Sequence, residues 1–194
     1  GKSFSKSLAN HEVFYKTSPV DDGPGTARCF IFVTPDAQRT MNTYIGACSL
    51  LNSKDIDENL VKNSKITYLE GYCWEEQSAK ESLIKAAEIA HKSENKVALT
   101  LSDPFCVERH RNEFNDLIKK HIDILFANEI EAIELCQTEN AEESGKEISS
   151  LIDIVAITKG EKGAMIYNNK NIEQIEPVLF GNVKDTTGAG DLFA

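Results

Sequence analysis

The chain has 194 residues, enough for one sizeable core or for one core with a small appended lid. A composition of 41% hydrophobic and 27% charged residues excludes a disordered or fibrous protein, and a formal net charge of −10 argues against a nucleic-acid partner, because neutralising phosphates needs a basic face. The longest apolar runs, such as Cys29-Phe30-Ile31-Phe32-Val33, are strand-sized and well short of the ~20 residues that a membrane span requires, so no membrane partner is expected.

The N-terminus, Gly1-Lys2-Ser3-Phe4-Ser5, has no apolar stretch of the kind that directs export, which predicts a cytoplasmic protein. Cys29, Cys48, Cys73, Cys106 and Cys136 are spaced singly and read as buried, reduced thiols. Residues 26–45 predict a β-ribbon, with strands at 26–34 and Arg39–Tyr44 about the turn Pro35-Asp36-Ala37-Gln38. A short apolar strand at 66–69 leads to Gly71, and Trp74 is expected to pack beneath it. The next segment, 75–93, reads as a helix, with Ala79, Leu83, Ala86, Ala87 and Ala90 on one face. A strand at 96–101 stops at Ser102-Asp103-Pro104, and an amphipathic helix at 107–122 buries Phe114, Leu117 and Ile118. A strand at 124–127, a short helix at Glu129–Cys136, an acidic helix at 141–151 with a solvated face, and a strand at Ile154–Thr158 follow. Ala164–Asn168 and Asn171–Ile175 flank Asn169-Lys170 as a hairpin. Strands alternating with amphipathic helices predict an α/β fold with a mostly parallel sheet, and right-handed crossovers predict helices on both of its faces. His11, His91, His110 and His121 show no metal-ligand spacing and read as surface or packing residues.

The sharpest chemical signal is Asp185-Thr186-Thr187-Gly188-Ala189-Gly190-Asp191. Two glycines separated by one small residue let the backbone approach a ligand closely. If a helix starts there, its free amides make an anion hole, and Asp191 stands where it can take a proton from an attacking hydroxyl. The bland alternative is a glycine-rich turn capped by Asp. The helix that should follow ends at Phe193-Ala194, and four or five residues cannot form a stable helix alone, so the chain is expected to be a fragment.

That string resembles the C-terminal signature of the ribokinase/PfkB family of small-molecule kinases, and four further stretches agree with the family in order. Asn128-Glu129-Ile130-Glu131 is similar to its Asn-x-x-Glu motif, and Thr158-Lys159-Gly160-Glu161-Lys162-Gly163-Ala164 to its nucleotide loop. Arg39 matches a family arginine that reaches over the transferring phosphate, and Gly71 falls where the family's chain turns beside the substrate. The resemblance implies a ribokinase-like sandwich over residues 1–194, one domain incomplete at both ends, with part of a small β lid at about 20–45.

It also implies transfer of the ATP γ-phosphoryl to a primary hydroxyl. Asp191 would be the base, the amides of Gly188, Ala189 and Gly190 the anion hole, and Arg39 the residue closing from above. Asn128, Thr158, Gly160, Gly163, Asp185 and Thr186 would line the ATP site. Mg²⁺ would be held through water near Glu131 and Asp185, and a monovalent cation such as K⁺ is a further expected cofactor. The segment Leu99-Thr100-Leu101-Ser102-Asp103-Pro104-Phe105 is similar to that of adenosine kinases, which implies adenosine 5′-OH as acceptor and AMP as product, with Phe105 stacking on the base. Phe105 as plain core is the alternative, and Asp103 departs from the small neutral residue common there. Rival functions are a PfkB-type carbohydrate kinase acting on ribose, fructose or a keto-deoxy sugar acid, and an inactive nucleotide-binding member of the family. The implied partner is a small molecule, with a homodimer through the lid as a further expectation. The family's early substrate-holding Asp and Gly-Gly pair would precede residue 1, and its adenine-binding part would follow residue 194.

Overall fold

A computed structural model describes residues 2–36, 38–168, 171–178, 181, 183 and 185–194. After a short helix, α1 (Lys2–Asn10), strands β1 (Arg28–Val33) and β2 (Arg39–Tyr44) form a two-stranded antiparallel ribbon in which Arg28 faces Tyr44 and Val33 faces Arg39. A one-and-a-half-turn helix, α2 (Glu58–Asn63), precedes the main sheet. That sheet comprises β3 (Ile66–Glu70), β4 (Lys96–Thr100), β5 (Ile124–Asn128), β6 (Ile154–Thr158), β7 (Ala164–Asn168) and β8 (Asn171–Ile175), lying side by side in chain order. The first four strands are parallel; β7 and β8 run antiparallel to their neighbours. The expected tip of the last hairpin, Asn169-Lys170, and Ala37 in the ribbon turn lie outside the described residues.

Helices α3 (Gln77–Lys92), α4 (Pro104–His121), α5 (Glu129–Cys136) and α6 (Ala141–Ser149) connect the parallel strands. The helix α4 starts three residues before its sequence-based expectation. Asp103-Pro104, which reads as a strand stop, also caps the helix: the Asp103 carboxylate accepts from the Phe105 and Cys106 amides, and Pro104 fits the first turn, where no partner for its missing N–H is needed. The sequence pattern does not foretell α1 or α2. Of these, α2 is held by an Asp57 cap accepting from the Asn59 and Leu60 amides and buries no side chain, so it leaves no apolar period to read.

The core forms on one face of the sheet. Leu69, Leu99, Leu125, Val155 and Tyr167 are aligned across five strands, and all are buried. Each such side chain contributes roughly 1.5–3 kcal/mol by leaving water. The helices α3 to α6 pack in a row on this face. Gly145 of α6 lies so close to Tyr167 that a Cβ would stand 2.2 Å from its ring. This corrects the expectation that crossover helices cover both faces. Strands added in one direction through right-handed crossovers put every connection on the same side. The opposite face carries Phe126, whose ring meets Phe193 of a last short helix, α7 (Ala189–Phe193), edge-on at 6.5 Å.

Trp74 is buried against Phe114 of α4, with ring centroids 5.7 Å apart, and its indole N–H donates to Glu113. All five cysteines are free, but the expected burial holds fully only for Cys106. Cys29 lies on the ribbon, where both faces are exposed, and Cys48 in a 3₁₀ turn beside it; both are exposed. Among the described residues no helix is long and apolar enough to cross a membrane.

Candidate active site

In a parallel sheet, ligands sit beyond the carboxyl ends of the strands, where the chain turns into loops and helix starts. Here those ends are Glu70-Gly71, Leu101-Ser102-Asp103, Asn128 and Thr158, brought level by the pairings Glu70 to Thr100 and Asn128 to Thr158.

Gly71 is explained by close approach of backbones. A Cβ there would stand 2.3 Å from the Leu101 carbonyl oxygen, and the Cys106 thiol donates to the Gly71 carbonyl at 3.4 Å. Phe105, in the first turn of α4, is 67% exposed, which sets aside the reading of this side chain as core. Asn128 and Glu131 form a reciprocal cap on α5. Asn128 Oδ1 accepts from the Glu131 amide at 2.8 Å, while the Glu131 carboxylate accepts from the Asn128 amide at 2.9 Å and from its side-chain Nδ2 at 2.8 Å. Glu131 is only 5% exposed, and burial pushes its carboxyl above the ordinary range. Both of its oxygens are thus committed to the cap, a role beyond the water- and metal-orienting one expected of it.

In the loop after β6, Thr158 Oγ1 donates to the Ala127 carbonyl at 3.5 Å. Gly160 has φ +56° and nothing within 4 Å of where a Cβ would be, which leaves its backbone open to a ligand. Gly163 has φ +83° and would place a Cβ 1.9 Å from the Ile175 carbonyl oxygen, so packing against β8 alone accounts for a glycine there.

The run 185–191 lies near the same strand ends, where the Asp191 charge reaches Glu70 and Tyr72. Asp185 accepts from both the Thr187 amide (2.8 Å) and hydroxyl (2.7 Å), which hold its carboxyl below the usual range with help from Arg39. Gly188 caps α7 in the left-handed region at φ +76°, and Gly190 has open space beyond its Cα. The Ala189 amide donates to the Thr186 carbonyl at 3.2 Å. From the ribbon, Arg39 Nη1 donates to Thr186 Oγ1, joining segments 147 residues apart. Among the expected site residues, Arg39 and Thr186 are therefore in direct contact, as are Asn128 and Glu131. Phe105 and Gly71 sit on neighbouring strand ends.

Two residues that sequence reasoning missed stand in the same place. Glu70 and Tyr72 flank Gly71 at the end of β3. Burial raises the Glu70 carboxyl and the Asp191 charge adds to it; the Tyr72 phenol is likewise raised by burial, then by Asp103, Glu131 and Asp191. The signal that could have found them is position alone, the carboxyl end of a parallel strand. Among the described residues, no group of three His, Cys, Asp or Glu is placed to hold a metal directly.

The candidate site thus combines the strand ends of a parallel α/β sheet, an open glycine-lined loop ending in Asp191, and an arginine from the ribbon in contact with Thr186. The model of the pfkB family of carbohydrate kinases matches residues 1–194, and the chain belongs to that family. It is similar to the guanosine-inosine kinase of Escherichia coli K12, at 28% identity over 145 residues covering 73% of this chain and 33% of that protein. Among solved structures, it is similar to adenosine kinase from Sinorhizobium meliloti, with 40% identity and a TM-score of 0.95, covering all of this chain and 59% of that one. A probable sugar kinase from Rhizobium etli CFN 42 is similar to the same extent, with 43% identity, a TM-score of 0.95, and coverage of all of this chain and 59% of that one. The chain thus spans about a third to three-fifths of the length of these relatives.

Proposed function

We propose that this chain carries the phosphoryl-transfer part of an ATP-dependent kinase whose acceptor is a primary hydroxyl, the 5′-OH of adenosine, with AMP as product. The observation that carries this reading is the contact of Arg39 with Thr186, which closes the ribbon over the loop ending in Asp191.

Phosphoryl transfer asks little covalent work of a protein; positioning and charge stabilisation dominate. Asp191 takes the proton of the attacking hydroxyl. The amides of Gly188 and Gly190 receive the migrating phosphoryl, and the Ala189 amide joins them on leaving the Thr186 carbonyl. The Arg39 guanidinium offsets charge from above, and the ribbon excludes water that would compete for the phosphoryl. The open backbone at Gly160 lies beside Thr158 and takes nucleotide phosphate. The exposed Asp185 carboxylate fits Mg²⁺, which keeps much of its water and needs only one or two carboxylates. Asp185 would hold it through water, with Glu131 beside it, and the ion would supply neutralising charge on the phosphate oxygens. Phe105, exposed at the strand ends, offers a flat face to a nucleoside base.

A sugar acceptor is the second reading, favoured by the likeness to the R. etli sugar kinase. Coupled ADP release by the full-length protein with adenosine, inosine, ribose, fructose and a keto-deoxy sugar acid decides between them. Turnover with adenosine is expected. Turnover with a sugar alone overturns the nucleoside assignment, and no ADP release with any acceptor overturns the kinase reading.

A further inference from the structure

The helix α4 leaves the site and then breaks. His110 has φ −120° and ψ 20° inside the helix, which separates residues 104–109 from the remainder. A sharp kink needs a cause, and beyond Pro104 in the first turn, residues 105–121 contain neither proline nor glycine. The residue at the break is the one whose ring is held by its neighbours. His110 is largely buried between two carboxylates, with Nε2 3.2 Å from Glu75 Oε2 and Nδ1 3.4 Å from Glu113 Oε1. Every element packed there contributes a charged group. Glu75 comes from the segment just after the Gly71–Trp74 turn, Lys80 from α3, and Arg109 and Glu113 from α4. Lys80 Nζ lies 3.5 Å from Nδ1 and 2.6 Å from Glu113 Oε2, and Arg109 pairs with Glu75. Trp74 donates to the same Glu113 oxygen at 3.0 Å.

The network therefore joins three things: the kink, the turn that carries Tyr72, and the short helical segment that carries Phe105. That segment has its own anchors, the Asp103 cap and the buried Cys106 and Val107. Its direction relative to the rest of α4 is set at His110. We propose that the Glu75–His110–Glu113 clamp, braced by Arg109 and Lys80, is a positioning device that aims the first turn of α4, with Phe105, at the acceptor. The inference rests on the kinase reading above and assigns to these residues acceptor recognition, separate from phosphoryl transfer.

The test is steady-state kinetics of the full-length protein, with adenosine and ATP varied separately. His110→Ala removes the centre of the clamp, and Glu75→Gln removes one charge at nearly constant volume. Each is expected to raise KM for the acceptor about three- to tenfold, the range for a lost well-placed aromatic contact. KM for ATP and kcat should stay within about twofold, the split that a general loss of structure would not produce. An unchanged acceptor KM in Glu75→Gln, or an equal rise in both KM values, overturns the proposal. Absence of turnover in the wild type would count against the kinase reading alone, because calorimetric titration with adenosine still decides the clamp. Weaker binding by the two variants supports it, and equal affinity sinks it.

Discussion

At the scale of single residues, two positions contrast a proposed chemical role with a packing one. Asp191 ends the glycine-lined loop, and its charge is felt at Glu70, Tyr68 and Tyr72 across the strand ends. In the full-length protein, Asp191→Asn should lower kcat by about 10²-fold or more, the usual cost of losing a general base, with KM for ATP little changed. Coupled ADP release measures this, and near-normal turnover would remove Asp191 from the role. Gly71 offers the contrast. A methyl group there meets the Leu101 carbonyl at 2.3 Å, so Gly71→Ala forces the ends of β3 and β4 apart. A stability loss of about 1–3 kcal/mol is expected from the denaturant midpoint. A variant as stable as the wild type would mean that the backbone yields freely at this point. The glycines and the Asn-x-x-Glu spacing were legible in the sequence because backbone freedom and helix capping are local properties. Glu70 and Tyr72 were not, because only the fold brings Asp191 to them across more than a hundred residues.

At the scale of elements, the strands and helices from β3 onward were legible because buried strands separated by amphipathic helices leave two distinct periods in the chain. Boundaries moved where one residue served two purposes, as Asp103 does by ending a strand and capping a helix. The far end of the same sheet shows how strand starts are tied together. The Asp123 carboxylate, before β5, accepts from the Val97 amide at 2.8 Å, pairs with His91 at 3.0 Å and with Lys96 at 3.1 Å, and Lys96 also reaches Asp153. Burial alone would raise the Asp123 carboxyl, but these partners outweigh it and hold it below the ordinary 3.8. A carboxyl depressed in the folded state contributes stability that is present above its unfolded value and lost as pH falls through the folded one. Urea midpoints should therefore fall below about pH 4 more steeply in the wild type than in Asp123→Asn, which should be less stable near neutrality. Parallel slopes in the two proteins would show that the network does not sense acid.

For the molecule as a whole, stability is unevenly distributed. The sheet from β4 to β6 is buried, whereas every residue of β1 and β2 is exposed, including Phe30 and Phe32 at 65% and 64%. A two-stranded ribbon is at best marginally stable by itself in water. Its amides should exchange with solvent far faster than those of β4, β5 and β6, as hydrogen-exchange mass spectrometry would read; equal protection would mean that the ribbon is held by more than its own ladder. The likeness to solved kinases accounts for the overall α/β frame. What the sequence did not disclose at this scale is the single-sided row of crossover helices, because handedness and strand order act together and strand order is not written in any local pattern.

The sheet also has a temporal meaning. Its six strands lie in space in the order in which they occur in the chain, so each can add to the edge left by the one before, and the loop closed at each step is short. A polypeptide emerging residue by residue can build this framework as it appears. The contact between Arg39 and Thr186 obeys no such economy, for it waits until two segments 147 residues apart have both been made. The sheet can therefore form before the ribbon meets the 185–191 run, so a nascent chain that already has its core would not yet have that contact.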